Sequence, residues 1–288
     1  MTNDRSLLLQ SDVVLFHVGA LVGFFHDVPL PDQRTPEQAW ILYNLKPPTW
    51  APLDMTRYNG LFNWTASYRL DSDVPVSYGG YIQYPPHDRY RQNLSVNFNY
   101  HKVLFSAWIS SNCYDYNRRQ VLIRQLKKLL GDDLSLYGTC GGKRCPQTSC
   151  FDMLSRYKFL FALENSNCRD YVTEKFWGAL SRRQVPIVLG GASSEDYRKV
   201  APPNSFIHIG DFPSLEQLVA HLRKVGADKA LTTVTWPGLV TTTCTASCWR
   251  DADGGVTFVR RYTTAPHLPR CTPTCMAGST MTSVLSGR

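Results

Sequence analysis

Phe159-Leu160-Phe161-Ala162-Leu163 runs straight into Glu164-Asn165-Ser166, and a short loop then leads to Asp170-Tyr171-Val172-Thr173-Glu174-Lys175 and on to Phe176, Trp177, Ala179 and Leu180. Five apolar residues in succession suit a strand buried on both faces, and Thr173 is a residue type that caps a helix start. Val185-Pro186-Ile187-Val188-Leu189 repeats the buried-strand pattern and stops at Gly190-Gly191. Strand, helix and strand in that order make a parallel unit whose crossover lays the helix against the sheet.

The same alternation continues on either side. Val103 to Ile109 reads as a strand, and Asn117 to Leu130 carries Val121, Leu122, Leu126, Leu129 and Leu130 at helical spacing before Gly131 stops it. Phe206 to Ile209 is a further strand. Ser214 and Gln217 form a capping box ahead of Leu215, Leu218, Val219, Leu222 and Val225. Residues 103–225 therefore predict an α/β domain with a parallel sheet covered on both faces. Toward the N-terminus, Val13 to Phe16 and Trp40 to Leu45 read as strands, and Pro47-Pro48 and Pro52 mark a break. Leu61 to Tyr81 reads as loops with a strand or two, and residues 1–102 are taken as a separate domain. From residue 226 the alternation fails. The last 63 residues hold 14 of the 22 threonines, and 226–288 is read as an irregular Thr/Cys-rich tail.

With 288 residues, 43% apolar and 19% charged, the chain is globular, which excludes disorder throughout. The longest apolar stretch, Val13 to Phe25, is interrupted by His17 and falls short of the roughly 20 residues a membrane helix needs. Lys and Arg outnumber acids by 31 to 23, so an anionic partner is favoured. Nucleic acid is not expected, because the basic residues are dispersed and locally dense only at Arg118, Arg119, Arg124, Lys127 and Lys128. Nine cysteines point to an oxidising compartment and leave at least one thiol unpaired. The glycosylation triplets at Asn63 and Asn93 agree with a secretory lumen.

The Glu164 to Lys175 cluster lies between a strand end and a helix start, where open parallel sheets bind ligands. Glu174 suits a ribose diol and Lys175 a phosphate, with a capped helix and solvated Glu/Lys pair as the alternative. Arg119 can fork two phosphate oxygens, or belong to a solvated basic face. Tyr137 to Gly142 has glycines that admit close backbone approach but no phosphate-loop spacing. His17, Trp108 and Trp177 are read as core or loop residues, Cys113 and Cys168 as structural.

Together with Phe62-Asn63-Trp64-Thr65-Ala66-Ser67-Tyr68-Arg69, Asp71-Ser72-Asp73 and Tyr137-Gly138-Thr139-Cys140, these segments resemble the α-1,3-fucosyltransferases over about residues 11–225. The resemblance implies a GT-B architecture of two Rossmann-like domains with parallel sheets. The C-terminal half would bind GDP-fucose and the N-terminal half would face the acceptor. It also implies inverting transfer of L-fucose to the 3-hydroxyl of N-acetylglucosamine in a glycoprotein glycan, with no cofactor and no metal. By the family's motif, Arg119 and Lys175 stabilise the leaving phosphate, Glu174 holds the ribose, and Asn165, Tyr171 and Tyr78 surround the donor. Residence in the Golgi lumen as a type II membrane protein is implied too, through an N-terminal anchor missing from this chain.

Two departures stand out. Where the family has a Leu-Glu-Ser-Pro segment supplying a general base, this chain reads Leu45-Lys46-Pro47-Pro48. An ordinary lysine, with a pKa of about 10.4, is protonated at neutral pH and cannot take the acceptor's proton. Asp54, Asp71 and Glu37 are other carboxylates of this half, and no spacing argument places any of them at the acceptor. The alternative expectation is thus a catalytically silent GDP-fucose or glycan-binding protein; a basic protein binding acidic polysaccharide is a third reading. The second departure is the tail, where Cys244, Cys248, Cys271 and Cys275 read as disulfides or an out-of-frame gene end in preference to a four-thiolate zinc site.

Overall fold

The computed structural model describes residues 4–21, 29–50, 55–83, 95–97, 101–146, 149–228, 233–235, 238–242 and 256–259. Its strands and α-helices, in chain order, are β1 (Val13–His17), α1 (Val18–Leu21), β2 (Ala39–Asn44), β3 (Trp64–Ser67), β4 (Val74–Pro75), β5 (Gly79–Gln83), β6 (Ser95–Asn97) and β7 (Leu104–Ile109). There follow α2 (Arg119–Leu130), β8 (Leu134–Tyr137), α3 (Cys150–Ser155), β9 (Tyr157–Leu163), α4 (Glu174–Ser181), β10 (Val185–Leu189) and α5 (Ser194–Val200). The last are β11 (Ile207–His208), α6 (Leu215–Ala227), β12 (Thr233–Thr235), β13 (Gly238–Thr242) and β14 (Val256–Val259). The chain divides into two compact units, one of Met1–Ser77 with Thr243–Arg288 and the other of Tyr78–Thr242.

In the first unit a sheet runs in the order β14-β1-β2-β3-β4. The pairs β1–β2, β2–β3 and β3–β4 are parallel, and β14 closes the outer edge of β1 antiparallel, Val13 opposite Val259. Val14 and Phe16 alternate inward and pack with Leu21 and Trp40, the rings of Phe16 and Trp40 lying 4.7 Å apart. The buried Gln38 amide donates to the carbonyls of Leu8 and Ser11 at 2.6 and 2.8 Å and accepts from Trp40 Nε1 at 2.7 Å, so this polar group inside the fold is fully engaged.

The second unit is built on a five-stranded sheet, β11-β10-β9-β7-β8, parallel throughout. Along β9, Phe159, Phe161 and Leu163 pack with Ile123, Leu126 and Leu130 of α2 and Leu218 and Leu222 of α6. Leu160 faces the other way, with Leu154 of α3 and Ala179 of α4. That two-sided cover is why the strand reads as one apolar run. The chain enters the sheet at β7, moves to β8 at one edge, and returns past β7 to lay down β9, β10 and β11. The direction of strand addition therefore reverses between β7 and β9, and the carboxyl ends of those two strands border the crevice where open α/β sheets take ligands.

The compact units part after Ser77, and β5, just beyond that point, pairs with β13 of the same unit. Three strands, β12, β13 and β14, lie in the stretch read as irregular; they are short, rich in threonine and valine, and pair only with distant partners. The four tail cysteines and the sequon residue Asn93 lie outside the described residues. No described helix is long and apolar enough to cross a membrane.

Candidate functional site

Arg119 lies across the reversal point. It opens α2, whose exposed backbone N–H groups are met from the preceding loop: Asp115 Oδ2 accepts from Gln120 N at 2.9 Å and Asn117 Oδ1 from Arg119 N at 3.3 Å. This is why the helix begins at Arg119 and Asn117 stays outside it. The guanidinium then turns inward and is 4% exposed. Its Nη1 donates to Leu163 O at the end of β9 at 2.9 Å, and its Nη2 donates to Ser110 Oγ and Asn112 O, just after β7, at 2.8 Å each. Nε lies 3.9 Å from Asp115 Oδ2 without a hydrogen-bond partner among the described residues. Burial lowers the guanidinium's pKa, and Glu164 and Asp115 oppose that shift. Of the fork expected to grip a phosphate, both Nη2 protons and one of Nη1 are spent on protein; Nε–H and the second Nη1 proton have no hydrogen-bond partner among the described residues.

One strand over, Glu164 follows β9 and is fully buried. Its Oε1 accepts from Thr173 N at 2.8 Å, and its Oε2 accepts from Thr173 Oγ1 and from Lys175 Nζ, both at 2.9 Å. Thr173 caps α4, as its residue type suggested. Lys175 Nζ also donates to Thr173 Oγ1 at 2.7 Å and to the exposed Glu174 Oε1 at 3.2 Å. Burial works against the lysine's charge, yet the Glu164 and Glu174 carboxylates outweigh it and hold Lys175 above its ordinary pKa. Burial pushes the Glu164 carboxyl up, against the pull of Lys175. Glu174, although its side chain reaches solvent, is crowded enough by neighbouring protein to be pushed up, but Lys175 and hydrogen bonds outweigh that and keep it below the usual carboxyl range. The Glu/Lys pair expected at the helix start is therefore a triad anchored on a buried acid.

The remaining expected donor residues fall in the same unit. Tyr78 and Tyr171, both buried, meet edge to face at 6.0 Å and share a hydroxyl hydrogen bond; burial raises the Tyr171 pKa. Asn165 is buried, and its Oδ1 has no hydrogen-bond partner among the described residues, leaving an acceptor available. Beside the reversal point, at the ends of β7 and β8, a cavity of about 470 Å³ is lined in part by Ile109, Ser111, Gly138, Thr139, Lys143 and Arg144. Among the described residues no cluster of His, Cys, Asp or Glu is arranged to hold a metal ion.

Lys46 belongs to the first unit, exposed just beyond β2, with its backbone N–H donating to Asn44 Oδ1 at 2.9 Å. Its ammonium is close enough to His17 to lower the histidine's pKa. Of the alternative carboxylates, Asp71 is engaged by Arg69, Glu37 is exposed, and Asp54 lies outside the described residues. Asn63 is exposed, and its Oδ1 accepts from Trp40 N at 2.8 Å and from Arg34.

The family description "Fucosyltransferase, N-terminal" matches residues 1–79, and "Glycosyltransferase family 10 (fucosyltransferase) C-term" matches residues 100–235. Human "Alpha-(1,3)-fucosyltransferase 7" is 32% identical over 271 residues, which cover 94% of this chain and 74% of the human protein. The chain belongs to the α-1,3-fucosyltransferase family. "Glycoprotein 3-alpha-L-fucosyltransferase A" of Drosophila melanogaster is 35% identical over 238 residues, 80% of this chain and 45% of that protein. The chain thus spans about half the length of the Drosophila relatives it matches. A solved α1,3-fucosyltransferase structure shares the fold, with a TM-score of 0.50 at 15% identity over 80% of this chain and 69% of that one. The expected GT-B fold class holds.

Within this fucosyltransferase fold the sequence motif singled out Arg119, Glu174 and Lys175 but not the residues that hold them. Ser110, Asn112, Asp115 and Asn117 support Arg119, and Glu164 supports Lys175. Asn117 Nδ2 joins the two groups, donating to Glu164 O at 2.8 Å and Asn167 Oδ1 at 3.0 Å. A polar residue directly after each central strand is the one available sequence signal, and it does not say which partner each residue takes.

Proposed function

We propose that this chain transfers L-fucose from GDP-fucose to the 3-hydroxyl of an N-acetylglucosamine unit in a glycoprotein glycan. The observation that carries the reading is Arg119 spanning the ends of β7 and β9 while Lys175 opens the adjacent helix, two cations at the reversal point of a parallel sheet. The acceptor hydroxyl gives up its proton to solvent water and its oxygen forms a bond to fucose C1 as the bond from C1 to the β-phosphate oxygen breaks, and GDP departs with the bonding pair. Negative charge therefore grows on the phosphate, and fixed cations lower that barrier. Lys175 gives up its longest and most exposed contact, to Glu174, and turns that proton to the phosphate; Glu174 is released to accept from the ribose hydroxyls. Arg119 adds its charge and its remaining N–H groups, Asn165 Oδ1 supplies an acceptor, Tyr171 and Tyr78 wall the donor, and the adjoining cavity has room for the base. The two disulfides of the second unit support a lumenal, oxidising setting, for which the family implies the Golgi and a type II anchor.

Lys46 favours a second reading, a silent binder of GDP-fucose. A general base contributes about 10²- to 10⁴-fold in rate. Titration calorimetry with GDP, followed by transfer assays on the native chain and Lys46→Glu, separates the cases. Heat with GDP and transfer by the native chain support the transferase, transfer only by Lys46→Glu supports the silent binder, and absence of heat with GDP sinks both.

A further inference from the structure

We propose that the Cys113–Cys140 disulfide positions Arg119 for the donor, an inference that rests on the donor-binding reading above. Two of the three hydrogen bonds that orient the guanidinium end on the irregular turn Ser110 to Cys113, at Ser110 Oγ and Asn112 O. That turn belongs to neither strand nor helix, so its shape depends on what fastens it. Most of the fastening comes from the turn after β8. Cys140 is bonded to Cys113 through sulfur and donates its backbone N–H to Ser110 O at 3.0 Å, while Ser110 N donates to Tyr137 O at 3.1 Å. Gly138, at φ +79°, lets the two turns touch: a Cβ there would stand 2.4 Å from Ser110 O. At the far end of the turn, the Gln120 side-chain amide donates to Cys113 O.

The disulfide is thus the covalent tie between the turn that cradles Arg119 and the turn behind it. A dithiol such as dithiothreitol supplies two electrons and two protons: the S–S bond breaks, two thiols form, and the reductant closes to its own cyclic disulfide. Ser110 keeps its backbone bonds to Tyr137 and Cys140, and its Oγ still donates to Asn112 O at 3.0 Å, so reduction frees the Asn112–Cys113 end of the turn, and with it the Asn112 carbonyl that helps orient the guanidinium. Lys175 is held by Glu164 and Thr173, on β9 and α4, and keeps its place. Donor affinity therefore falls without vanishing.

The test is a double-mutant cycle on the full chain, with GDP as the probe, at a temperature where near-ultraviolet circular dichroism shows every variant folded. Cys113→Ser/Cys140→Ser weakens GDP about tenfold when Arg119 is present and less than twofold in an Arg119→Ala background. Equal weakening in both backgrounds, or none in the first, overturns the proposal. A second readout needs no nucleotide. The Arg119 Nε–H resonance, distinct and slowly exchanging in the oxidised protein, moves to the position of a solvated arginine in the double-serine variant and on adding dithiothreitol; an unmoved resonance overturns the positioning role. If the native chain binds no GDP, the donor reading falls, and the resonance still decides whether the disulfide holds Arg119.

Discussion

At the scale of single residues, the departure at Lys46 has a measurable neighbour. His17 Nδ1 accepts from Gly19 N at 3.1 Å, so the neutral imidazole carries its proton on Nε2 and offers a hydrogen-bond donor. Burial first, and the Lys46 charge second, hold the His17 pKa below the ordinary histidine value. In an NMR titration of the full chain His17 should therefore protonate at lower pH than an exposed histidine. Lys46→Met should move the midpoint up by removing a repulsive charge, and Lys46→Glu should move it further by adding an attractive one. Identical midpoints in all three proteins would show that the ammonium does not reach the ring. What the sequence revealed here was the identity of position 46, because a local motif fixes it. The pairing with His17 was not legible, since β1 and β2 must lie side by side before the two residues meet.

At the scale of elements, Lys102 closes two helices at once. Its ammonium donates to Ser155 O at the end of α3 and to Arg182 O, 2.7 Å away, just past α4, satisfying carbonyls that a helix end leaves unpaired. The side chain is 8% exposed, and burial, helped by Arg182 and Arg183, lowers its pKa to about 8. An unfolded lysine titrates near 10.4, so between pH 8 and about 10.4 the unfolded chain binds more protons and stability rises with pH. The charge costs the fold roughly 2–3 kcal/mol at neutral pH after allowance for residual solvation, and that cost is relieved across the window. Urea unfolding of the native chain and Lys102→Met should show the native advantage growing by about that amount from pH 8 to 10.4. A constant difference would mean that Lys102 does not titrate there. The sequence did not mark Lys102, nor α3, α5 or β8. These elements are short and only partly buried, so neither a period nor a continuous apolar run marks them. By contrast α2, β9, α4, β10 and α6 were legible, because burial against the sheet imposes a pattern on every turn.

For the whole molecule, the informative feature is that one unit is continuous and the other is not. Tyr78–Thr242 runs unbroken, whereas the unit containing β1 recruits β14 from near residue 258 to pair with its outer edge. No local pattern in Val256–Val259 announces a partner 240 or more residues away, which is why the tail read as coil. A fragment of residues 78–242 should therefore fold alone and bind GDP within about threefold of the full chain, since Arg119, Glu164, Asn165, Tyr171, Glu174, Lys175 and Tyr78 all lie inside it. The fragment 103–225, cut where the sequence pattern suggested, loses the β5–β13 pair and with it the strand that lies against α4. It should unfold at a lower urea concentration and bind GDP more weakly, because α4 carries Lys175 at its first turn. Residues 1–77 alone would leave the edge of β1 unpaired and should aggregate, as open hydrophobic strand edges do. Equal stability of the 78–242 and 103–225 fragments would show that the β5–β13 pair contributes nothing to the second unit.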